Sequence, residues 1–372
     1  MPKRSSDLAQ RLKGKRVCIC LGAGGVGKTT TSAALGFGLA ARGQKVAVVT
    51  IDPARRLAAA LGLGELSGEP RQIDPALLAA AGVAAPGELW AMALDVKRTF
   101  DEIVTRLSPD ARSREEILSN PVYRELSSAV SGVQELGAVT KLYELYSEYD
   151  FDVIVLDTPP SRNALDFLEA PENLLNFLDG RALKVFLAPG GLAARLFGRG
   201  TGLVFAIFAR VTGVDMLGEL STFFRSLSGI LDGFRERTRG VAELLHDPTT
   251  SFLIVTSPEP EPAREAVFLA GKLATAARVR DGVIVNRVHL HGLDGHSAEE
   301  VQAALAGELG ESLARRVAGN LADFDVLERR DRDTIARLRR ELDEPDPVIV
   351  AHLDEDIQDL AGLARIAGYL FA

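Results

Sequence analysis

The sequence predicts an α/β protein: a mostly parallel sheet flanked by helices, carrying an inserted helical subdomain. Three observations predict it. Apolar, β-rich runs recur along the chain without polar alternation, as strands covered on both faces do. A glycine-rich stretch follows the first of them and opens a helical segment. Two long helical segments then interrupt the rhythm of strands.

The strand runs are 17–21, 45–51, 89–94, 153–156, 252–256, 282–285 and 348–350, each bounded by turn or charge signals. They assign 15–96, 148–163 and 249–372 to the sheet-bearing core, and 97–147 with 164–248 to the helical subdomain. In the second insert Leu217, Leu220, Phe224, Leu227, Leu231 and Phe234 recur at three- and four-residue steps, marking one apolar helix face. That face reads equally as a groove for a hydrophobic helix or as ordinary core. The inserts are expected at the carboxyl edge of the sheet, where ligands of such sheets bind. Residues 298–344 read as charged helix, and the alternating signs of 328–340 as a solvated face.

With 372 residues, 47% hydrophobic and 25% charged, the chain can bury a large core. Its formal net charge of -8 argues against a nucleic-acid partner. No run of 18 apolar residues occurs; the nearest approach, 202–224, is interrupted by Arg210, Asp215 and Glu219, so no membrane insertion is expected. The basic N-terminus lacks the apolar centre of a secretory signal, and a cytoplasmic protein is expected. The two cysteines, Cys18 and Cys20, share one strand face and read as small core residues. Neither a zinc site nor an iron–sulfur cluster is expected from them.

The glycine-rich stretch is the centre of the argument. Gly22, Gly27, Lys28 and Thr29 satisfy G-x-x-x-x-G-K-[ST] between a strand and a helix, the context of a phosphate-binding loop. Its glycines let consecutive backbone N–H groups surround an anion, and the helix N-terminus adds partial positive charge. The loop residues are Gly22, Ala23, Gly24, Gly25, Val26, Gly27, Lys28, Thr29 and Thr30. Lys28 is expected at the β- and γ-phosphates of ATP and the Thr29 hydroxyl on Mg²⁺. Asp52 follows the second strand directly and reads as the residue that positions or deprotonates the attacking water, or holds Mg²⁺ through water. Asp157 ends the strand VIVLD, the arrangement that delivers a carboxylate to Mg²⁺. Residues 161–174 after it read as a switch sensing the γ-phosphate and leading into the second insert. Asn286, at the end of GVIVN, can pair with a purine edge. His289, His291 and His296, with Asp294, read as a solvated loop rather than a metal site.

GAGGVGKTT, TIDPARRL, DTPPSRNALDFLEAPE, VTSPEP and VIVNRV, in that order, resemble the ArsA family of P-loop ATPases, a deviant Walker A class. The family contains arsenical pump-driving ATPases and the ATPases of the guided entry of tail-anchored proteins. PVIVAHLDEDIQDLAGL resembles the family's last strand and nucleotide-side loop. The resemblance implies an ATP- and Mg²⁺-dependent hydrolase, with Asp52 in switch I, Asp157 opening switch II and Asn286 at the adenine. It implies a dimer with facing ATP sites, here a homodimer or a heterodimer with a related ATPase chain, and a hydrophobic helix as client.

Three departures qualify it. Ala23 stands where the family's loop carries a Lys that reaches the partner's phosphate site. Arg55 or Arg56, a partner chain's Lys, or slow turnover would answer that loss. The thiols of the arsenite pumps and the zinc pair of many tail-anchored-protein ATPases are absent. Only Met92 and Met216 follow the first methionine, so a Met-rich client groove is not indicated. The alternatives are a partition- or division-type ATPase and a weakly hydrolysing regulatory subunit of a heterodimer.

Overall fold

The computed structural model describes residues 8–51, 55–63, 66–82, 87–129, 133–159, 164–180, 223, 226–276, 278, 280–290, 293, 295–353, 357 and 359–372. The chain divides into two compact units. The first comprises Met1–Ala93, Asp150–Ala164 and Pro248–Ala372; the second comprises Leu94–Tyr149 and Leu165–Asp247.

The first unit carries the sheet. Its strands are β1 (Val17–Leu21), β2 (Lys45–Thr50), β3 (Arg71–Gln72), β4 (Glu88–Ala93), β5 (Val153–Asp157), β6 (Thr250–Thr256), β7 (Arg280–Val288) and β8 (Val348–Ala351). They lie in the order β3-β4-β2-β5-β1-β6-β7-β8. Every pairing is parallel except that of β3 with β4. Five buried residues in a row make up β1, and the same holds for β5, which is why both read as continuous apolar runs. The seven runs anticipated from sequence all form strands; only the two-residue β3 carries too little pattern to be seen there.

Helices α1 (Leu8–Arg11), α2 (Lys28–Ala40), α3 (Arg55–Ala60) and α4 (Pro75–Ala80) belong to the first unit. Asp74 caps α4, its carboxylate accepting from Ala76 N–H just before the helix-starting proline. The second unit is built from α5 (Val96–Leu107), α6 (Ala111–Leu118), α7 (Pro121–Ala129), α8 (Val133–Glu148), α9 (Ala164–Asp179) and α10 (Leu231–His246). The chain then returns to the first unit with α11 (Pro260–Thr275), α12 (Ala298–Leu309), α13 (Glu311–Glu341) and α14 (Leu360–Leu370).

In the second unit Phe100, Ile103 and Val104 of α5, Val139, Leu142 and Leu145 of α8, and Val241, Leu244 and Leu245 of α10 are buried. Lys141 is buried among them at 2% exposure. Its ammonium donates to Glu144 at 2.7 Å and to Glu102 at 3.3 Å, while Arg237 reaches Glu144 at 3.4 Å. Burial works against the charge of Lys141, but the bond and charge of Glu144 and the charge of Glu102 outweigh it and raise its pKa. Of the apolar face 217–234, Leu217, Leu220 and Phe224 lie outside the described residues. Its other end is core: Leu227, Leu231 and Phe234 pack with Leu174 and Leu178 of α9.

One reading from sequence is corrected here. The alternating charges of 328–340 do not all face solvent. Asp331, Thr334, Ile335 and Leu338 of α13 are buried, so one flank of this helix lies on the sheet unit. Among the described residues no helix is long and apolar enough to cross a membrane.

Candidate functional site

The site is built at the carboxyl ends of β1, β2 and β5. Parallel register sets Cys20 of β1 beside Asp157, and Asp157 in turn beside Thr50 of β2. The glycine-rich loop leaves β1 at Gly22 and enters α2 after Gly27. Both glycines are required by close approach. A side chain at Gly22 would place its Cβ 2.0 Å from the Val255 carbonyl oxygen of β6. Gly27 has φ +87°, and a Cβ there would lie 2.4 Å from the amide nitrogen of Asn286. Gly25, also left-handed, faces open space.

Lys28 is buried, and its ammonium donates to the Ala23 carbonyl at 2.8 Å, spanning the loop from its helical side to its strand side. Ala23 itself is buried at 6% exposure. Thr29 directs its hydroxyl at Asp157 Oδ2 at 2.6 Å, and Thr50 donates to the same oxygen at 2.9 Å. Asp157 is fully buried. Thr158 ties β5 to β1 by donating to the Cys20 carbonyl at 2.7 Å. Asn286 is buried and its amide donates to the Val26 carbonyl at 2.9 Å, so β7 holds the loop from the far side. Next to it Arg287 has φ 60°, at a register shift between β7 and β8; Val288 then pairs with Ala351.

Thus Lys28, Thr29, Asp157 and Asn286 converge on one edge of the sheet. Asp52 lies outside the described residues, as do Pro53 and residues 160–163. Its neighbour Ile51 donates its N–H to the Asp157 carbonyl at 3.2 Å. Arg55 and Arg56 begin α3. Thr50 is the contributor that sequence reasoning missed, and only the register of β2 on β5 reveals it.

The oxygen set fits a hard divalent cation. A hydroxyl and a carboxylate oxygen 2.6 Å apart at the head of a phosphate loop are the donors Mg²⁺ takes beside phosphate. The nearby sulfurs do not compete. Burial above all pushes the Cys20 thiol up to about 12, and burial with the neighbouring Cys20 raises Cys18 further. Of the histidine loop, His291 and Asp294 lie outside the described residues. His289 contacts Asp331 Oδ2 at 2.7 Å through Nδ1 and at 3.0 Å through its backbone N–H, and lies tilted against the His352 ring at 5.1 Å between centroids. Among the described residues no cluster of three metal-ligating side chains occurs.

A parallel sheet delivering this loop, its Lys and Thr, and a strand-end carboxylate defines a P-loop nucleotide-binding protein. The chain belongs to the ArsA family of anion-transporting ATPases, whose model matches residues 15–305. It is 29% identical over 285 residues to a putative arsenical pump-driving ATPase 1 of Aquifex aeolicus, covering 73% of this chain and 63% of that one. It is 27% identical over 226 residues to ATPase GET3 of Malassezia globosa, covering 59% of this chain and 60% of that one. A second putative pump-driving ATPase of Aquifex aeolicus is 25% identical over 281 residues, 73% of this chain and 80% of the relative. The chain thus spans about three fifths of the length of the first two relatives, 63% and 60%.

Proposed function

We propose that the chain binds ATP with Mg²⁺ at this edge and hydrolyses it as one member of a dimer. Its nucleotide cycle moves the helical unit to bind a hydrophobic client or drive a partner. The observation that carries this reading is the meeting of Thr29 and Thr50 on Asp157 beside Lys28. The family and the names of its relatives support it.

The loop from Gly22 to Thr30 wraps the phosphates with its backbone. Lys28 draws the β- and γ-phosphates, and the Thr29 hydroxyl and Asp157 carboxylate hold Mg²⁺. When bound, the metal neutralises charge on the phosphate oxygens. Thr50 fixes the Asp157 carboxylate so that it turns toward the loop. Asp52 positions the attacking water and takes its proton. The water oxygen bonds to the γ-phosphorus while the bond to the bridging oxygen breaks. The second amide hydrogen and the carbonyl of Asn286 serve the adenine edge.

Ala23 favours a second reading, a regulatory subunit of a heterodimer with little turnover of its own. A side chain ending at Cβ supplies no trans charge, and such a charge is worth about a thousandfold or more. Phosphate release from Mg–ATP decides between the two. Turnover by the chain alone, lost in Lys28→Ala, supports the first reading, and turnover only with a related ATPase chain supports the second. No turnover under either condition overturns hydrolysis. A drop in Arg55→Ala or Arg56→Ala identifies the replacement for the missing Lys.

A further inference from the structure

Strand β7 carries a backbone irregularity beside the site. Arg287 has φ 60°, a left-handed conformation uncommon for a residue with a side chain, and it is exposed. Such a conformation persists where the surrounding residues leave no other choice. Here both neighbours are gripped. On one side the Asn286 amide donates to the Val26 carbonyl of the phosphate loop at 2.9 Å, and Asn286 is buried. On the other, Val288 pairs with Ala351, and its carbonyl accepts from the His352 N–H at 2.8 Å. His289 then gives one oxygen of Asp331 both its backbone N–H, at 3.0 Å, and its ring Nδ1, at 2.7 Å.

Asp331 comes from α13 and is wholly buried. Its second oxygen accepts from Nε and Nη2 of Arg330, at 3.2 and 2.9 Å. A buried carboxylate with both oxygens engaged is a rigid anchor. The chemistry proposed above makes no use of it.

The Asn286 amide has one good orientation. Val26 presents a carbonyl, so the NH₂ turns to the loop and the side-chain oxygen takes the other branch. An amide oxygen held there accepts from the 6-amino group of adenine. Before the 6-oxo group of guanine it meets another acceptor, and turning over would cost the Val26 bond. We infer that Asp331 is a positioning residue for the base. By gripping His289 it holds the left-handed turn at Arg287, and with it the Asn286 amide, in the orientation that favours a 6-amino over a 6-oxo purine. Asp331 acts only through the backbone of β7. This role deepens the ATP reading above and rests on it.

Calorimetric titration of the full chain with Mg–ATP and with Mg–GTP tests it. Wild type prefers ATP by about tenfold or more. In Asp331→Ala the preference falls to within about threefold, through lost ATP affinity. Asp331→Asn retains an acceptor for the His289 N–H and retains the preference. Two variants at the exposed Arg287 probe the same turn with Asp331 in place, circular dichroism showing the fold retained. Both remove the same charge. Glycine adopts the left-handed turn freely, so Arg287→Gly keeps the preference. A β-branched side chain does not, so Arg287→Val loses it as Asp331→Ala does. Equal weakening of both nucleotides in Asp331→Ala, an undiminished preference there, or equal behaviour of Arg287→Gly and Arg287→Val would each overturn the inference. So would a wild type that binds both nucleotides alike, which leaves ATP binding standing. A wild type that binds neither overturns the ATP reading itself.

Discussion

The sheet edge around Asp157 and the helical interior around Lys141 each bury a charge, and they handle it differently. At Asp157 two threonine hydroxyls, from β2 and α2, converge on one oxygen. A hydroxyl holds a carboxylate in place without cancelling its charge, and it can serve another ligand by rotation. At Lys141 the partners are carboxylates on α5 and α8, themselves tied to Arg98 and Arg237. There the charge is neutralised within the fold. The first arrangement keeps a negative pole for something that binds; the second fixes how three helices meet.

That contrast is open to direct attack. Asp157→Asn keeps the shape of the first cluster and removes its charge. Phosphate release is expected to fall about a thousandfold while the unfolding midpoint stays near wild type. Loss of stability with unaltered turnover would assign Asp157 to the structural class instead. Lys141→Ala should do the reverse. It strands the buried Glu144, and denaturant unfolding should show about 3–5 kcal/mol less stability in the helical unit. The turnover of molecules still folded should change little by comparison.

The smallest effect concerns pH. Burial opposes ionisation of Glu102 and Glu148, but the guanidinium of Arg98 and the ammonium of Lys141 at the first, and Arg106 and Arg237 at the second, hold both below the usual value of 4.5. A carboxyl depressed on folding contributes stability that is complete above 4.5 and is lost as pH falls through its folded value. Thermal melting followed from pH ~6 to pH ~3 should show a falling midpoint only in the acid range, and a smaller fall in Glu102→Gln. An equal fall in that variant would remove Glu102 from the account.

What could be read beforehand divides along the same line. The phosphate loop was legible because its chemistry is local: glycines, Lys28 and Thr29 sit within eight residues, between a buried strand and a helix. Asp157 was legible as the end of an apolar run. Thr50 was not, because its role rests on β2 lying beside β5, a pairing of residues 107 apart. Asp331 was illegible for another reason. In a run of alternating signs nothing distinguishes the one carboxylate that turns inward to meet His289 from those that stay in water.

Cys18 and Cys20 remain. They are the only thiols in the chain, both wholly buried on β1, and both keep their protons well above neutral pH. The folded protein therefore offers nothing to an alkylating reagent, and every labelling event marks a molecule whose central strand has come open. The native chain thus carries its own clock for the opening of the strand beneath the phosphate loop. A nucleotide bound to that loop would slow it, with no probe attached and no residue changed.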